Sequence, residues 1–190
     1  RQLNTKIHYV GQEKAGGIAE ALMLCLPKKE DPKILSVNDT PLVTTRLILP
    51  KEDGKIIAIL GDNYFGSTIK VPKEALEDNN AYILIKKVAD PTHFGCCKYD
   101  ENGDLEQIIE KPKNPPSKDI VTGFYIYPIN SLRGMPELNA SERGEKEITE
   151  VNNYFLNQGR LKAIEYSGYW IDSGSSHEHL FEATKHRRNF

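Results

Sequence analysis

Apolar positions along this chain fall into two rhythms, and the alternation between them predicts an α/β sandwich. Helical spacing marks "GGIAEALMLCL" (16–26), with Ile18, Ala21, Leu22 and Cys25 recurring and Pro27 as a stop. It marks "EKEITEVNNYFLNQG" (145–159) more strongly, with Ile148, Val151, Phe155 and Leu156 on one face and Gly159 as the terminator. "PKEALEDNN" (72–80) predicts a short helix with Pro near its start, and "SSHEHLFEATKHRR" (175–188) a last helix capped by Ser175 or Ser176.

Short apolar runs bounded by turn residues predict strands: "KIHYV" (6–10), "KIIAIL" (55–60), "YILIKKV", "IVTGFYIYP" (120–128) and "RLKAIEYS". "KIIAIL" is apolar throughout, so it is expected to be a central, parallel strand. "GCCKYDENGDLEQIIEK" predicts a hairpin turning at "ENGD". Residues 27–54 are polar around "PLVTTRLIL" and predict nothing firmer than a hairpin or strand. One domain over residues 1–190 with a mixed, largely parallel sheet is the expected organisation.

Composition narrows the partners. The chain has 25 basic and 27 acidic residues without a basic stripe, which argues against nucleic acid. No apolar run approaches the ~20 residues of a membrane span, and the opening "RQLNTKIHYV" lacks the core of a secretory signal. Cys25, Cys96 and Cys97 are an odd set, and adjacent Cys96 and Cys97 would point to opposite faces of a strand. A reduced, cytoplasmic protein is expected.

Candidate chemistry sits where strands end. Asp62 in "GDNYF" follows "IIAIL", and Asp172 in "GYWIDSGS" follows Trp170 and Ile171. Ligands in open α/β sheets bind beyond the carboxyl ends of strands. Two such carboxylates suit a Mg²⁺ ion that bridges substrate phosphates, although each alone also suits a turn or cap. In "EKP", Lys111 can meet a phosphate as a point charge and Glu110 can accept from sugar hydroxyls, but the tripeptide by itself favours a surface ion pair before a proline turn. Gln12 precedes the Gly16–Gly17 pair that opens a helix, and its amide can donate and accept at a base edge. Gly123 interrupts a strand, a mark of close approach by a ligand or another backbone. Arg143 and Glu147 stand at a helix entry, where capping is the alternative. His93, His177 and His179 lack metal-binding spacing.

In this order, "QEKAGGIAEAL", "LGDNYF", "DPTHFGCCKYDENGDLEQIIEKP", "PPSKDIVTGFYIYP", "RGEKEITEVNNYFLNQGRL" and "GYWIDSGSSHEHLFEA" resemble the sugar-1-phosphate nucleotidyltransferases, most closely the glucose-1-phosphate thymidylyltransferases. The resemblance covers residues 9–26 and 55–185. It implies a Rossmann-like nucleotidyltransferase fold and a Mg²⁺-dependent attack of a sugar-1-phosphate on dTTP or UTP, with pyrophosphate leaving. By the same resemblance Asp62 and Asp172 hold the metal, and Gln12 with the Gly17 backbone reads a pyrimidine. Glu110 and Gly123 bind sugar hydroxyls, Lys111 the sugar phosphate, and Phe94 and Gly95 line the sugar pocket. Arg143 matches a position near the phosphates, and a homo-oligomer is expected.

One family feature is missing. The family opens with a strand and a Gly-rich loop, approximately GGxGTRL, whose N–H groups cradle the triphosphate. These 190 residues contain no such loop, so an N-terminally incomplete fold is expected. "DPKILSVNDTPLV" (31–43) resembles the family's lysine segment but follows the base motif instead of preceding it, so Lys33 is not assigned a role. A fragment or truncated enzyme is expected, the alternative being a non-catalytic nucleotide-sugar-binding or scaffold domain.

Overall fold

The computed structural model describes residues 10–26, 54–141 and 144–188. Residues 6–9 of the strand expected at 6–10, the segment 27–53 with Lys33, and Arg143 lie outside the described residues.

The longest strand organises the sheet. β6 (Asp119–Pro128) is ten residues of "DIVTGFYIYP", and from Ile120 onward all of them are buried. The helices and strands around it are α1 (Ile18–Leu24), β1 (Lys55–Ile59), β2 (Asn63–Phe65), α2 (Glu74–Glu77), β3 (Ala81–Lys87), β4 (Gly95–Tyr99) and β5 (Leu105–Glu110) before it. After it come α3 (Ile129–Arg133), α4 (Ile148–Asn157), β7 (Leu161–Glu165), β8 (Trp170–Asp172) and α5 (His177–Arg188). The main sheet runs β5-β4-β6-β3-β7. β1 lies along the end of β6, from Ile59 opposite Phe124 to Lys55 opposite Pro128. β2 and β8 form a separate antiparallel ribbon.

Alternation along β6 sorts its side chains between two cores. Val121, Tyr125 and Tyr127 pack with Ile56, Ala58, Ile83 and, from the helices, Ala19, Leu22, Val151 and Phe155. Ile120, Phe124 and Ile126 pack with Tyr82, Leu84, Cys96, Tyr166 and Trp170 on the other face. Truncating a fully buried side chain such as Phe155 to Ala would cost about 3–5 kcal/mol.

The sheet is mixed, with flanking helices, in line with the expected α/β class. Its balance of directions differs from the expectation. β3–β7 is the one parallel pair among the described strands, and β1 pairs antiparallel with β6. The physical reason lies in coverage of both faces. Ile56 and Ala58 belong to one cluster while Ile57 packs on the other, so β1 reads as continuously apolar whichever way its neighbour runs.

Local expectations hold elsewhere. The β4–β5 hairpin turns where Asp100 Oδ1 accepts the N–H groups of Asn102 and Asp104, with Gly103 at φ 87°. Gly159 closes α4 at φ 65°. Ser176 Oγ accepts the His179 N–H at the start of α5. Cys96 and Cys97 enter opposite cores, where burial raises their thiols to about 11 and about 12. Helix α3 has no counterpart among the predicted elements, because five residues are too few to display a helical period. Among the described residues, no helix is long and apolar enough to cross a membrane.

Candidate active site

The chain leaves β1 at Ile59, turns through Leu60–Asp62, and enters the short strand β2. In the ribbon, Asn63 pairs with Asp172, Tyr64 with Ile171, and Phe65 with Trp170. The turn after β8 is bonded back onto Asp62: Ser173 donates its N–H and its hydroxyl to the Asp62 carbonyl at 2.8 and 2.7 Å. This brings together two carboxylates 110 positions apart in the sequence. A Cβ built at Gly174 would lie 2.9 Å from Asp62 Oδ2 and 3.3 Å from Asp172 Oδ1, so glycine leaves open the space they flank. Burial, and then the charge of Asp62, push the Asp172 carboxyl above its ordinary value.

This donor set fits magnesium. Mg²⁺ favours one or two carboxylates, with the rest of its octahedron from water and substrate phosphates at about 2.0–2.1 Å. No cluster of three or more His, Cys, Asp or Glu able to hold a metal occurs among the described residues.

Asn63 fills the angle between ribbon and main sheet. Its Oδ1 accepts the Gly123 N–H and the Trp170 indole N–H, each at 2.8 Å, and its Nδ2 donates to Asp62 Oδ1 at 2.9 Å. Gly123 is glycine for this contact, since a Cβ there would fall 2.6 Å from Asn63 Cγ. The Gly123 carbonyl accepts the Leu60 N–H. Both backbone groups of Gly123, expected to meet sugar hydroxyls, are therefore engaged within the protein.

On the neighbouring hairpin, Gly95 pairs with Glu110 at the open end of β4–β5. Thr149, buried in the first turn of α4, donates its hydroxyl to Glu110 Oε2. A Cβ at Gly95 would stand 3.2 Å from Thr149 Oγ1 and 3.6 Å from Glu110 Oε2. Lys111 follows with φ 43°, a left-handed conformation uncommon outside glycine, and its N–H bonds the Phe94 carbonyl at 3.0 Å. Its amine lies 3.9 Å from Glu110 Oε1, half-exposed. The Phe94 ring meets Trp170 edge-on, centroids 5.5 Å apart, and so joins the hairpin to the ribbon. Buried Tyr125 feels Glu110, Asp62 and Asp172 together: burial first, then these three charges in that order, raise its phenol.

Gln12 and Gly17 lie on a separate segment, before α1. The Lys146 N–H donates to Gly16, and the Lys146 carbonyl accepts from Ala19. Gly17, at φ 93°, would drive a Cβ to 2.6 Å from that carbonyl. The glycine pair is thus seated on the segment that leads into α4 and Thr149. The structure therefore gathers Asp62, Asp172, Phe94, Gly95, Glu110, Lys111 and Gly123, and places Gln12 and Gly17 on the adjoining segment. Sequence reasoning gave no role to Thr149, Tyr125 or Asn63. "EIT" at the helix entry carried the signal for Thr149, a hydroxyl in the first turn of an amphipathic helix.

Comparison with known proteins bears on this geometry. The nucleotidyl transferase family model matches residues 1–189. A bifunctional sugar-1-phosphate nucleotidylyltransferase/acetyltransferase of Sulfurisphaera tokodaii is 32% identical over 146 residues, 77% of this chain and 36% of that protein. A glucose-1-phosphate thymidylyltransferase of Neisseria gonorrhoeae is 35% identical over 136 residues, 69% of this chain and 47% of that one. Among solved structures, a Bacillus anthracis protein described as a glucose-1-phosphate thymidylyltransferase, in complex with sucrose, superposes with TM-score 0.70 at 33% identity. It covers 94% of this chain and 64% of its own. The chain thus spans about half, or less, of the curated relatives it matches.

Proposed function

This chain belongs to the nucleotidyl transferase family, and from that premise we propose that it forms a nucleotide sugar from glucose-1-phosphate and dTTP or UTP. A phosphate oxygen of the sugar phosphate attacks the α-phosphorus in line. The bond from that phosphorus to the oxygen bridging to the β-phosphate breaks, and pyrophosphate carries the electron pair away.

The observation that supports this best is the convergence of Asp62 and Asp172 on the space left by Gly174, with the Thr149-bonded Glu110 acting on the same buried Tyr125 as they do. The sugar phosphate is already an anionic nucleophile, so the chemistry requires no Ser–His activation. It requires two mutually repelling anions to be held in line. Asp62 and Asp172 would hold Mg²⁺, which supplies charge neutralisation at the transferring phosphorus. Lys111 would take the sugar phosphate, and Glu110, fixed by Thr149, would accept from a sugar hydroxyl. Phe94 and Gly95 wall the sugar side, and Gln12 with the Gly17 backbone meets the base. Arg143 would add a cation near the phosphates. Gly123 contributes by admitting Asn63, and meets the sugar only once Asn63 has moved.

Incubation with dTTP or UTP, glucose-1-phosphate and Mg²⁺, followed by release of pyrophosphate, tests the reaction. Pyrophosphate from the native chain and none from Asp62→Asn would support it; release that ignores Asp62 would overturn it. The assembly of the sugar-side residues favours a second reading, a nucleotide-sugar-binding domain without turnover. Calorimetry with dTDP-glucose separates the two, since that reading expects binding with no pyrophosphate under any condition.

A further inference from the structure

The Gln12 side chain ends in an amide, which can offer a ligand either a donor or an acceptor. Here its Nε2 donates to Glu20 Oε2 at 2.6 Å and to the Gly17 carbonyl at 3.3 Å. A carboxylate and a carbonyl only accept. The opposite orientation would set Oε1 against two oxygens, so chemistry alone fixes which end of the amide faces inward. Its nitrogen is consumed within the protein, and Oε1 is the atom left for a ligand.

Gly16 makes this arrangement possible. A Cβ at Gly16 would fall 2.0 Å from Glu20 Oε2 and 2.5 Å from Glu20 Cδ. The two glycines therefore have separate tasks: Gly17 seats the loop on Lys146, and Gly16 clears the space the Glu20 carboxylate occupies. Glu20 lies in the first turn of α1, where helix geometry favours a negative charge.

We propose that Glu20 is a specificity-determining positioning residue, which holds Gln12 as an obligate acceptor so that the base site selects a pyrimidine carrying N3–H. The inference rests on the reading of Gln12 as a base contact. Uracil and thymine present N3–H to Oε1 and gain a hydrogen bond. Cytosine presents a lone pair at N3, so two desolvated acceptors would face each other. A mismatch of this kind costs about tenfold to a hundredfold in affinity. Glutamine at position 20 would not serve in its place. Its own amide can accept from Gln12 Nε2 or donate to Gln12 Oε1, so Gln12 could turn over and offer cytosine a donor.

Calorimetry with UDP-glucose and CDP-glucose, in the presence of Mg²⁺, tests this on the native chain, Glu20→Gln and Glu20→Ala. Circular dichroism identifies which variants are folded, and either folded variant decides. The native chain is expected to favour UDP-glucose by about tenfold or more. In Glu20→Gln that ratio is expected to fall to about threefold or less, with CDP-glucose gaining. A native preference that survives unchanged in a folded variant overturns the role of Glu20. Equal binding of both ligands by the native chain overturns the selection itself. Binding of neither shows that the base-contact reading has failed, and the inference falls with it.

Discussion

The indole N–H of Trp170 donates to Oδ1 of Asn63 at 2.8 Å, across the ribbon that carries Asp172. The same oxygen accepts the Gly123 N–H, so one amide ties β8 to the central strand β6. Asn63→Ala would leave both donors without their partner. The expected loss is about 2–4 kcal/mol, from two hydrogen bonds and a small void. Urea unfolding followed by the fluorescence of Trp170, the single tryptophan, measures it. An unchanged midpoint would show that this amide ties nothing together.

Asp78 offers a test of pH dependence away from the site. Burial works to raise its carboxyl, but hydrogen bonds from Tyr82 and Asn80, together with Lys55, overcome burial and hold it well below the ordinary range. Its partners include Tyr82 O–H at 2.7 Å, Asn80 Nδ2 at 2.6 Å and the Lys55 amine at 3.3 Å. A depressed carboxyl contributes stability that is complete above its unfolded value of about 4 and is lost as pH falls through its folded value. Asp78→Asn is therefore expected to cost about 2 kcal/mol at pH 7. The gap between native and variant should hold from pH 7 down to about pH 5 and then narrow progressively as pH falls below about 4. Melting temperatures from pH 7 to pH 2 would reveal a gap that ignores pH, the result that counts against this account.

Which parts of the site could be read in advance follows from how far each residue's partner lies along the chain. Asp62 and Asp172 were legible because each ends an apolar run and opens a turn, a local pattern. Thr149 was not, because its partner Glu110 lies 39 residues away, and Asn63 was not, because Gly123 lies 60 away. β6 was legible as a strand from its continuous apolar run and its closing Pro128. The direction of β1 was not, because it carries apolar side chains on both faces although only Ile56 and Ala58 are buried, so its sequence lacks the alternation that distinguishes strand environments. Residues 16–17 show both sides of this limit. Two glycines were visible, but the carboxylate that one clears and the backbone that the other meets come from separate places, Glu20 and Lys146.

Lys111 combines a proposed chemical role with an unfavourable backbone. At φ 43° a side chain costs about 1 kcal/mol relative to glycine. Lys111→Gly is expected to hold or gain about that much stability while removing the amine that would meet a phosphate. Activity should fall about a hundredfold or more, mostly in kcat/KM for the sugar phosphate. A variant that is both less stable and fully active would contradict both halves of this expectation.

Thr149 acts on Glu110 through one hydroxyl, so the substitution can be made narrowly. Thr149→Val keeps the shape and leaves Glu110 Oε2 without this donor, whereas Thr149→Ser keeps the donor. The valine variant is expected to raise KM for glucose-1-phosphate about tenfold, with serine restoring most of the loss. Equal KM values in native, Val and Ser forms would separate Thr149 from sugar binding.

The carboxylate pair makes function and stability pull in opposite directions. Burial and the neighbouring Asp62 raise the Asp172 carboxyl, so the folded chain binds that proton more tightly than the unfolded chain does. The associated stability is complete below the unfolded value of about 4 and is lost as pH rises through the folded value. At neutral pH two like charges therefore face each other. Asp172→Asn removes one charge and keeps an Oδ1 to accept the Gly174 N–H, a bond of 2.9 Å in the native form. Relief of about 1 kcal/mol would raise the melting temperature by about 2–4 °C at pH 7 and by little near pH 3. A divalent cation relieves the same repulsion, so Mg²⁺ should raise the melting temperature of the native chain at pH 7 and that of the variant much less. Nucleotidyl transfer should meanwhile fall about a thousandfold if, as proposed, the ion is held by both carboxylates and would lose one of them. A variant that melts lower than the native chain at pH 7, or that keeps the full response to Mg²⁺, would show that the two aspartates neither repel each other nor share an ion.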